Sequence, residues 1–466
     1  MLGTFMASLD SSIVNVSLPT MSREFHARID DIQWVVTAYM LGFCVFMPLT
    51  NWLKDRIGFF RLYLMALIIF TTGSLCCGFS HSLDMLVASR VLQSFGGGAI
   101  NPTVLSILST VFPKEERGKA IGWWGIGALL GPALGPTVGG ALTQEFGWPS
   151  IFFVNVPVCA ITIALSFVFL RFLSKAPKVR SAFDLGGFVS LTVFIVGIQY
   201  AIARTERSGA GSWEVIGCEV AALIALILFI RKERKAADPI FNLQLFKNKD
   251  FVRTQFLTCI RSAALFGGVF LLPFLYQISL GYSELQSGLL LLPQSVMTAI
   301  MTPIAGRMAD KFGSRNVLLV AITLIAATTY IFAFFVHGTP IWIIIPVVMA
   351  RGVGMGMLMT PLTTAMVNSV ETSQVTMASS INSLTMQLSA SLGIALLAVI
   401  HQDIQQKSLS RGAQLSEHLA LRGGFLVSAS IVVLAFIPAW GLPKKQATPP
   451  DGHLKAHLSG STLSSG

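Results

Sequence analysis

Apolar residues in this chain come in long runs separated by shorter polar and basic stretches. Fourteen runs can be marked, at about 2–19, 34–53, 62–79, 84–112, 120–142, 150–172, 184–204, 213–231, 253–277, 287–306, 316–336, 341–364, 378–400 and 421–441. A helix of ~20 apolar residues is long enough to cross a bilayer. Inside lipid the backbone must satisfy its own hydrogen bonds, so the pattern predicts an all-α polytopic membrane protein with 14 transmembrane helices. The fifth run holds GWWGIGALLGPALGPTVGG (122–140), rich in glycine and carrying Pro132 and Pro136. Such residues weaken a helix, so neighbouring helices must compensate. Gly127, Gly131, Gly135 and Gly139 recur every four residues, leaving one face nearly bare for close approach of another helix.

An internal repeat divides the chain. NWLKDRIGFFR (51–61) closes the second run and GRMADKFGSRN (306–316) closes the tenth. Downstream of each, an arginine enters a glycine-rich run, in ASRVLQSFGGG (88–98) and MARGVGMGM (349–357). Two six-helix halves with two inserted helices fit this better than fourteen unrelated spans. The predicted organisation is an N-terminal half over 1–183 and an insert with the start of a linker over 184–237. An amphipathic linker and the C-terminal half follow over 238–442, then a disordered tail over 443–466. The alternating segment DPIFNLQLFKNKDF (238–251) is expected to lie along the membrane interface. Parallel repeats place a substrate cavity between the halves near the midplane.

Composition agrees and removes several function classes. The 466 residues are 53% hydrophobic and 12% charged, against roughly 25% charged in soluble domains. A net charge of +11 would suit nucleic acid, but its placement argues otherwise. Of 33 lysines and arginines, 23 fall in loops on one side, seven on the other, and three within runs. That asymmetry is the positive-inside pattern, and an even number of spans puts both termini in the cytoplasm. The six cysteines lie in apolar runs without metal-ligand spacing, and the seven histidines in loops or the tail, so no metal is expected. Without a P-loop, nucleophile elbow or dinucleotide fingerprint, neither an enzyme nor an ATP-driven pump is expected. No cleavable signal is visible. The first run begins almost at Met1 without a basic lead-in, which leaves room for a start slightly upstream.

Charges inside the runs are the candidate chemistry. Asp10 lies midway along the first run, where a charge costs ~2.5–3.5 kcal/mol on insertion scales and is functional by default. A buried carboxyl can bind and release a proton near neutral pH, because desolvation disfavours its charged form. Arg90 either tunes that protonation through a cavity or anchors its helix by bonding backbone carbonyls. Arg351 occupies the matching place in the other half; Arg261 and Gln294 are further candidates for a cavity wall. Asp55 and Arg56, with Asp310 and Lys311, sit where runs meet the aqueous side. Such helix-end charges can bias a rocking interface, or be turn chemistry.

These motifs together resemble the major facilitator superfamily, and within it the fourteen-span drug:proton antiporters. LDSSIVNVSLP (9–19) resembles that branch's first-helix signature, with Asp10, Asn15 and Pro19 in place. The 51–61 loop matches the superfamily's signature loop at Asp55, Arg56 and Gly58. It departs at Asn51, Phe59 and Phe60. The second copy keeps Gly306, Asp310, Gly313 and Arg315. Arg90 and Gln93 resemble the fourth-span Arg-x-x-Gln. Gly122, Gly131, Gly135, Pro136, Gly139 and Gly140 are similar to the fifth-span motif associated with antiport. The resemblance implies a gate at the two loops and a proton-coupling or substrate-binding role for Asp10, Asn15, Arg90 and Gln93. It implies export of small amphipathic drugs across a bacterial cytoplasmic (inner) membrane. The partners would be protons, a small molecule and lipid; the energy source is the proton gradient and no cofactor is needed. A periplasmic adaptor is left open. The alternatives are a transporter of one metabolite or siderophore-like anion on the same fold, and a non-transporting membrane sensor.

Overall fold

The computed structural model describes residues 1–112, 114–175, 184–208, 211–235, 243–371, 374–410 and 416–442. The expected disordered tail (443–466) and the first residues of the expected amphipathic segment (238–242) lie outside the described residues. Everything regular among the described residues is helical, and a long helix coincides with each of the fourteen apolar runs. They are α1 (Leu2–Glu24), α2 (Trp34–Ile57), α3 (Phe59–Gly78), α4 (Leu83–Val111), α5 (Lys114–Phe146), α6 (Asn155–Phe169) and α7 (Leu185–Ser208). The chain continues with α8 (Trp213–Glu233), α9 (Lys249–Phe274), α10 (Glu284–Phe312), α11 (Ser314–Phe332), α12 (Ile341–Asn368), α13 (Val375–Ser410) and α14 (Ser416–Leu434). Among the described residues, eleven segments are long and apolar enough to cross a membrane by length and composition. The three helices outside that set are α1, α4 and α5, which hold Asp10, Arg90 and the glycine-rich stretch.

Helix ends follow from local sequence. Ser82 caps α4 by accepting from the Met85 amide, and Asn248 caps α9 by accepting from Asp250 and Phe251. Ser283 and Gln286 form a reciprocal capping box at the start of α10. The two copies of the repeated loop turn in the same way. Gly58 separates α2 from α3 at φ 85°, and Gly313 separates α10 from α11 at φ 82°. Only glycine adopts that left-handed region readily.

The repeat inferred from the loops is visible in the packing. In the N-terminal half α2 and α3 both pack on α4, α1 packs on α5, and α6 contacts α1 and α3. In the C-terminal half α10 and α11 pack on α12, α9 packs on α13, and α14 contacts α9 and α11. The halves therefore match helix for helix, α1 with α9 and α4 with α12. The inserted α7 and α8 pack on each other, and α7 leans on α2 and α13. Between the halves, α5 meets α10, α2 meets α13, and α1 meets α9.

That contact is concentrated at one end. The largest apolar cluster joins Ile13, Val16 and Leu18 of α1 to Phe270 and Phe274 of α9 and Leu290 of α10. Towards the Gly58 and Gly313 loops each half keeps its own cluster. One is built on Phe60, Tyr63 and Ile107, the other on Leu257, Val317 and Met357. The halves are thus joined at the end remote from the repeated loops.

The bare face of α5 lies against α1. A β-carbon added at Gly131 would sit 2.6 Å from the Leu9 nitrogen, and one at Gly139 2.6 Å from the Ile13 oxygen. Gly140, on another side of α5, faces the backbone of Glu284 at the start of α10, while Gly288 of α10 faces the backbone of Pro136. The helix is therefore a wedge between α1 and the opposite half. Its main partners are α1 and α10, with α4 a lesser neighbour. Leucine at Gly131 or Gly139 should lower the thermal unfolding midpoint through overpacking worth about 1–3 kcal/mol, while the chain still inserts. Gly125→Leu, where an added β-carbon meets nothing within 4 Å, should leave the midpoint unchanged.

Candidate functional site

Asp10 is completely buried, and so is the arginine it meets. Its Oδ2 accepts from Arg90 Nη1 at 2.7 Å. Its Oδ1 accepts from Gln93 Nε2 and from Asn155 Nδ2, each at 2.8 Å. All three neighbours donate, which is the complement of a carboxylate without its proton. Ser74 closes the group from α3, accepting from Gln93 at 2.7 Å and from Asn155 at 3.2 Å. Arg90 also donates to Gln93 Oε1 at 2.6 Å and, through Nε, to the Val35 carbonyl at 3.0 Å. The Tyr39 ring lies 4.1 Å from its guanidinium carbon and Phe152 lies 5.7 Å away. One buried ion pair thereby ties α1, α2, α3, α4 and α6 together.

Local sequence explains the convergence. Arg90 and Gln93 are three apart on α4, so both project from one face. Asp10 looks towards α4 and α6, while its chain neighbours Leu9 and Ile13 face the glycines of α5. Arg90 pairs with the acid and also bonds a backbone carbonyl. Asn155 and Ser74 were not singled out from the sequence. Asn155 had a signal, as an amide inside an apolar run; Ser74 had none.

Asn15 lies apart from this cluster, half-buried on α1 and with no hydrogen bond among the described residues. Arg351 of α12 is fully buried, with the Phe332 ring 5.4 Å away, and none of its three guanidinium nitrogens has a hydrogen-bond partner. Arg261 of α9 has one long contact, Nη2 to Ser262 Oγ at 3.4 Å. Gln294 of α10 is buried with an unpartnered Oε1. These residues do not meet Asp10 in one constellation.

Among the described residues, the loop positions expected to form a gate make local contacts. Asp55 pairs with its neighbour Lys54 at 3.5 Å, and Arg56 stacks over Trp52 at 5.1 Å. Arg315 stacks over Trp440 at 4.4 Å. The side chain of Asp310 lies outside the described residues, as do the surroundings of Gly122. Closure occurs at the other end instead. Glu284 of α10 accepts from Arg23 at 2.9 Å and from Thr20 at 2.8 Å, both on α1. Gln277 donates to the Val16 carbonyl at 2.7 Å, and Thr137 of α5 to the Gly288 carbonyl at 3.3 Å. Among the described residues no group of His, Cys, Asp and Glu could hold a metal ion.

The sequence model of the Major Facilitator Superfamily matches residues 1–394. Multidrug resistance protein Stp of Mycobacterium tuberculosis (strain ATCC 25618 / H37Rv) is 32% identical over 400 residues, covering 86% of this chain and 74% of its own. Riboflavin transporter RibZ of Clostridioides difficile (strain 630) is 32% identical over 365 residues, 77% of each chain. The crystal structure of a bacterial homolog to the human lysosomal transporter Spinster superposes with a TM-score of 0.65. That match covers 96% of this chain and 97% of that one, at 16% identity, a likeness of fold.

Breaking the buried pair from one side should be costly. Arg90→Leu leaves an uncompensated carboxylate and should lose about 3–5 kcal/mol of stability. Asn155→Leu removes one donor and should lose about 1–3 kcal/mol. The double change Asp10→Asn with Arg90→Gln should recover part of the first loss. Thermal unfolding of the purified chain in detergent reads all three, and equal losses for Arg90→Leu and the double variant would contradict the pairing.

Proposed function

The chain belongs to the major facilitator superfamily, and on that premise we propose that it is a proton-coupled antiporter exporting small amphipathic compounds across the bacterial cytoplasmic membrane. All fourteen long helices cross the bilayer in this reading, with α1, α4 and α5 shielded from lipid by their neighbours. The positive-inside asymmetry puts both termini and the Gly58 and Gly313 loops in the cytoplasm. The conformation, joined at the far end, is then open inwards.

The observation that carries the reading is the sealed carboxylate. Asp10 takes three donors in a buried pocket, so a proton reaches it only when helices part. Protonation removes its charge and leaves Arg90 the Gln93 oxygen and the Val35 carbonyl. The strongest link between α1 and α4 is then weakened. Because α1 bears on the glycine face of α5, and α5 bears on α10 of the other half, movement of α1 is passed to the interface between halves. The cycle balances. A proton enters on the outer side as cargo leaves, then departs inwards as Asp10 re-pairs with Arg90. The name of Stp, a multidrug resistance protein, supports this cargo class.

A second reading has its own support. RibZ is named for one metabolite, and three arginines inside the spans with a single midplane acid would suit an anion. Both readings are testable in cells stripped of their own efflux pumps. Expression should raise resistance to several lipophilic dyes and drugs, and Asp10→Asn at equal membrane level should abolish it. Unchanged resistance across the panel, with one metabolite accumulating in a deletion strain, would establish the metabolite reading. Full efflux by Asp10→Asn would exclude the coupling role.

A further inference from the structure

The two halves repeat their helices but not their buried charge pair. In the first half Arg90 of α4 meets Asp10 of α1 at 2.7 Å. In the second, Arg351 of α12 faces the matching helix α9 at Gly268. A β-carbon added there would lie 2.9 Å from Arg351 Nη2. A side chain at 268 would therefore point at the guanidinium, much as Asp10 points at Arg90. The acid is missing and the arginine remains. No carboxylate among the described residues forms an ion pair with Arg351, and its Nε, Nη1 and Nη2 are all buried without a hydrogen-bond partner. The Tyr276 hydroxyl is buried and equally unpartnered, near enough to interact with the arginine electrostatically. Ser428, also beside Gly268, donates its hydroxyl to the Ala264 carbonyl at 3.0 Å.

A guanidinium does not lose its proton inside a protein. Buried charge that is neither paired nor neutralised is strongly unfavourable. The face of Phe332, 5.4 Å away, offsets only a fraction of that cost. We propose that Arg351, beside Gly268 and Tyr276, binds a small anionic group, a free halide or the carboxylate of a transported compound. That group supplies the negative charge that Asp10 supplies in the other half. One half then carries a built-in acid that exchanges protons; the other carries a cation whose counter-charge is mobile. The inference rests on the geometry of the second half and holds whether the cargo is a drug or a metabolite.

The test uses the purified full-length chain in detergent, free of chloride and of carboxylate salts, with sodium methanesulfonate holding the ionic strength constant. Chloride and benzoate are titrated separately and the thermal unfolding midpoint is followed. At saturation the midpoint should rise by about 2–4 °C, as binding to the folded state requires. The rise should vanish in Arg351→Met and in Gly268→Asp, which brings its own carboxylate. If Gly268→Asp fails to fold, Arg351→Met, an apolar replacement for an unpaired buried charge, still makes the comparison. A rise with chloride alone assigns the site to a free halide; a rise with benzoate assigns it to a carboxylate group. No saturable rise with either anion in wild type, or an equal rise in Arg351→Met, overturns the proposal.

Discussion

A carboxylate and a guanidinium buried in a membrane protein are each untenable alone, and the N-terminal half is arranged around keeping them together. Desolvating either charge costs several kcal/mol, and only a short, fully bonded contact offsets it. Asp10 and Arg90 meet at 2.7 Å, with Gln93, Asn155 and Ser74 completing the shell. Those residues come from α1, α3, α4 and α6, so the requirement to satisfy one acid sets how four helices sit. The same requirement makes the site responsive. In the proposed cycle a proton on Asp10 would cancel the charge that the shell holds and would release together the helices it ties.

The glycine face of α5 gives that release a direction. Because α1 approaches the α5 backbone at Gly131 and Gly139, no side chains are present to absorb a displacement. On its other side α5 is pressed to α10 at Gly140 and Gly288. Close-packed contacts of this kind rearrange between discrete states and do not deform gradually. At the same end, the Glu284 contacts with Arg23 and Thr20 hold the halves shut. At the repeated loops of the opposite end, Asp55, Arg56 and Arg315 have local partners in Lys54, Trp52 and Trp440.

Much of this was legible in the chain itself. Each apolar run became a helix, because nothing else satisfies backbone groups in lipid, and the repeated loops announced the two halves through their shared glycine turn. Asp10 and Arg90 stood out because charges in apolar runs are expensive, and Gln93 through the resemblance to the fourth-span Arg-x-x-Gln. Ser74 did not, since a serine in a helix is cheap and common, and only the approach of α3 to α4 gives it a role. Spacing along α5 shows that a face is bare, but the approach of α10 at Gly140 and Gly288 rests on contacts more than a hundred residues away in sequence. The gate loops were read as helix-end charges that bias the two halves, and a sequence cannot say which of two states such a pair will occupy.

The central claim is that Asp10 exchanges its proton in step with cargo. The most direct measurement is proton movement into proteoliposomes of known orientation when a transported dye is added, comparing wild type with Asp10→Asn at equal reconstitution. Dye-dependent proton flux in the wild type and none in Asp10→Asn is the predicted result. Equal fluxes in the two, or dye transport by the wild type with no accompanying proton movement, would contradict the account.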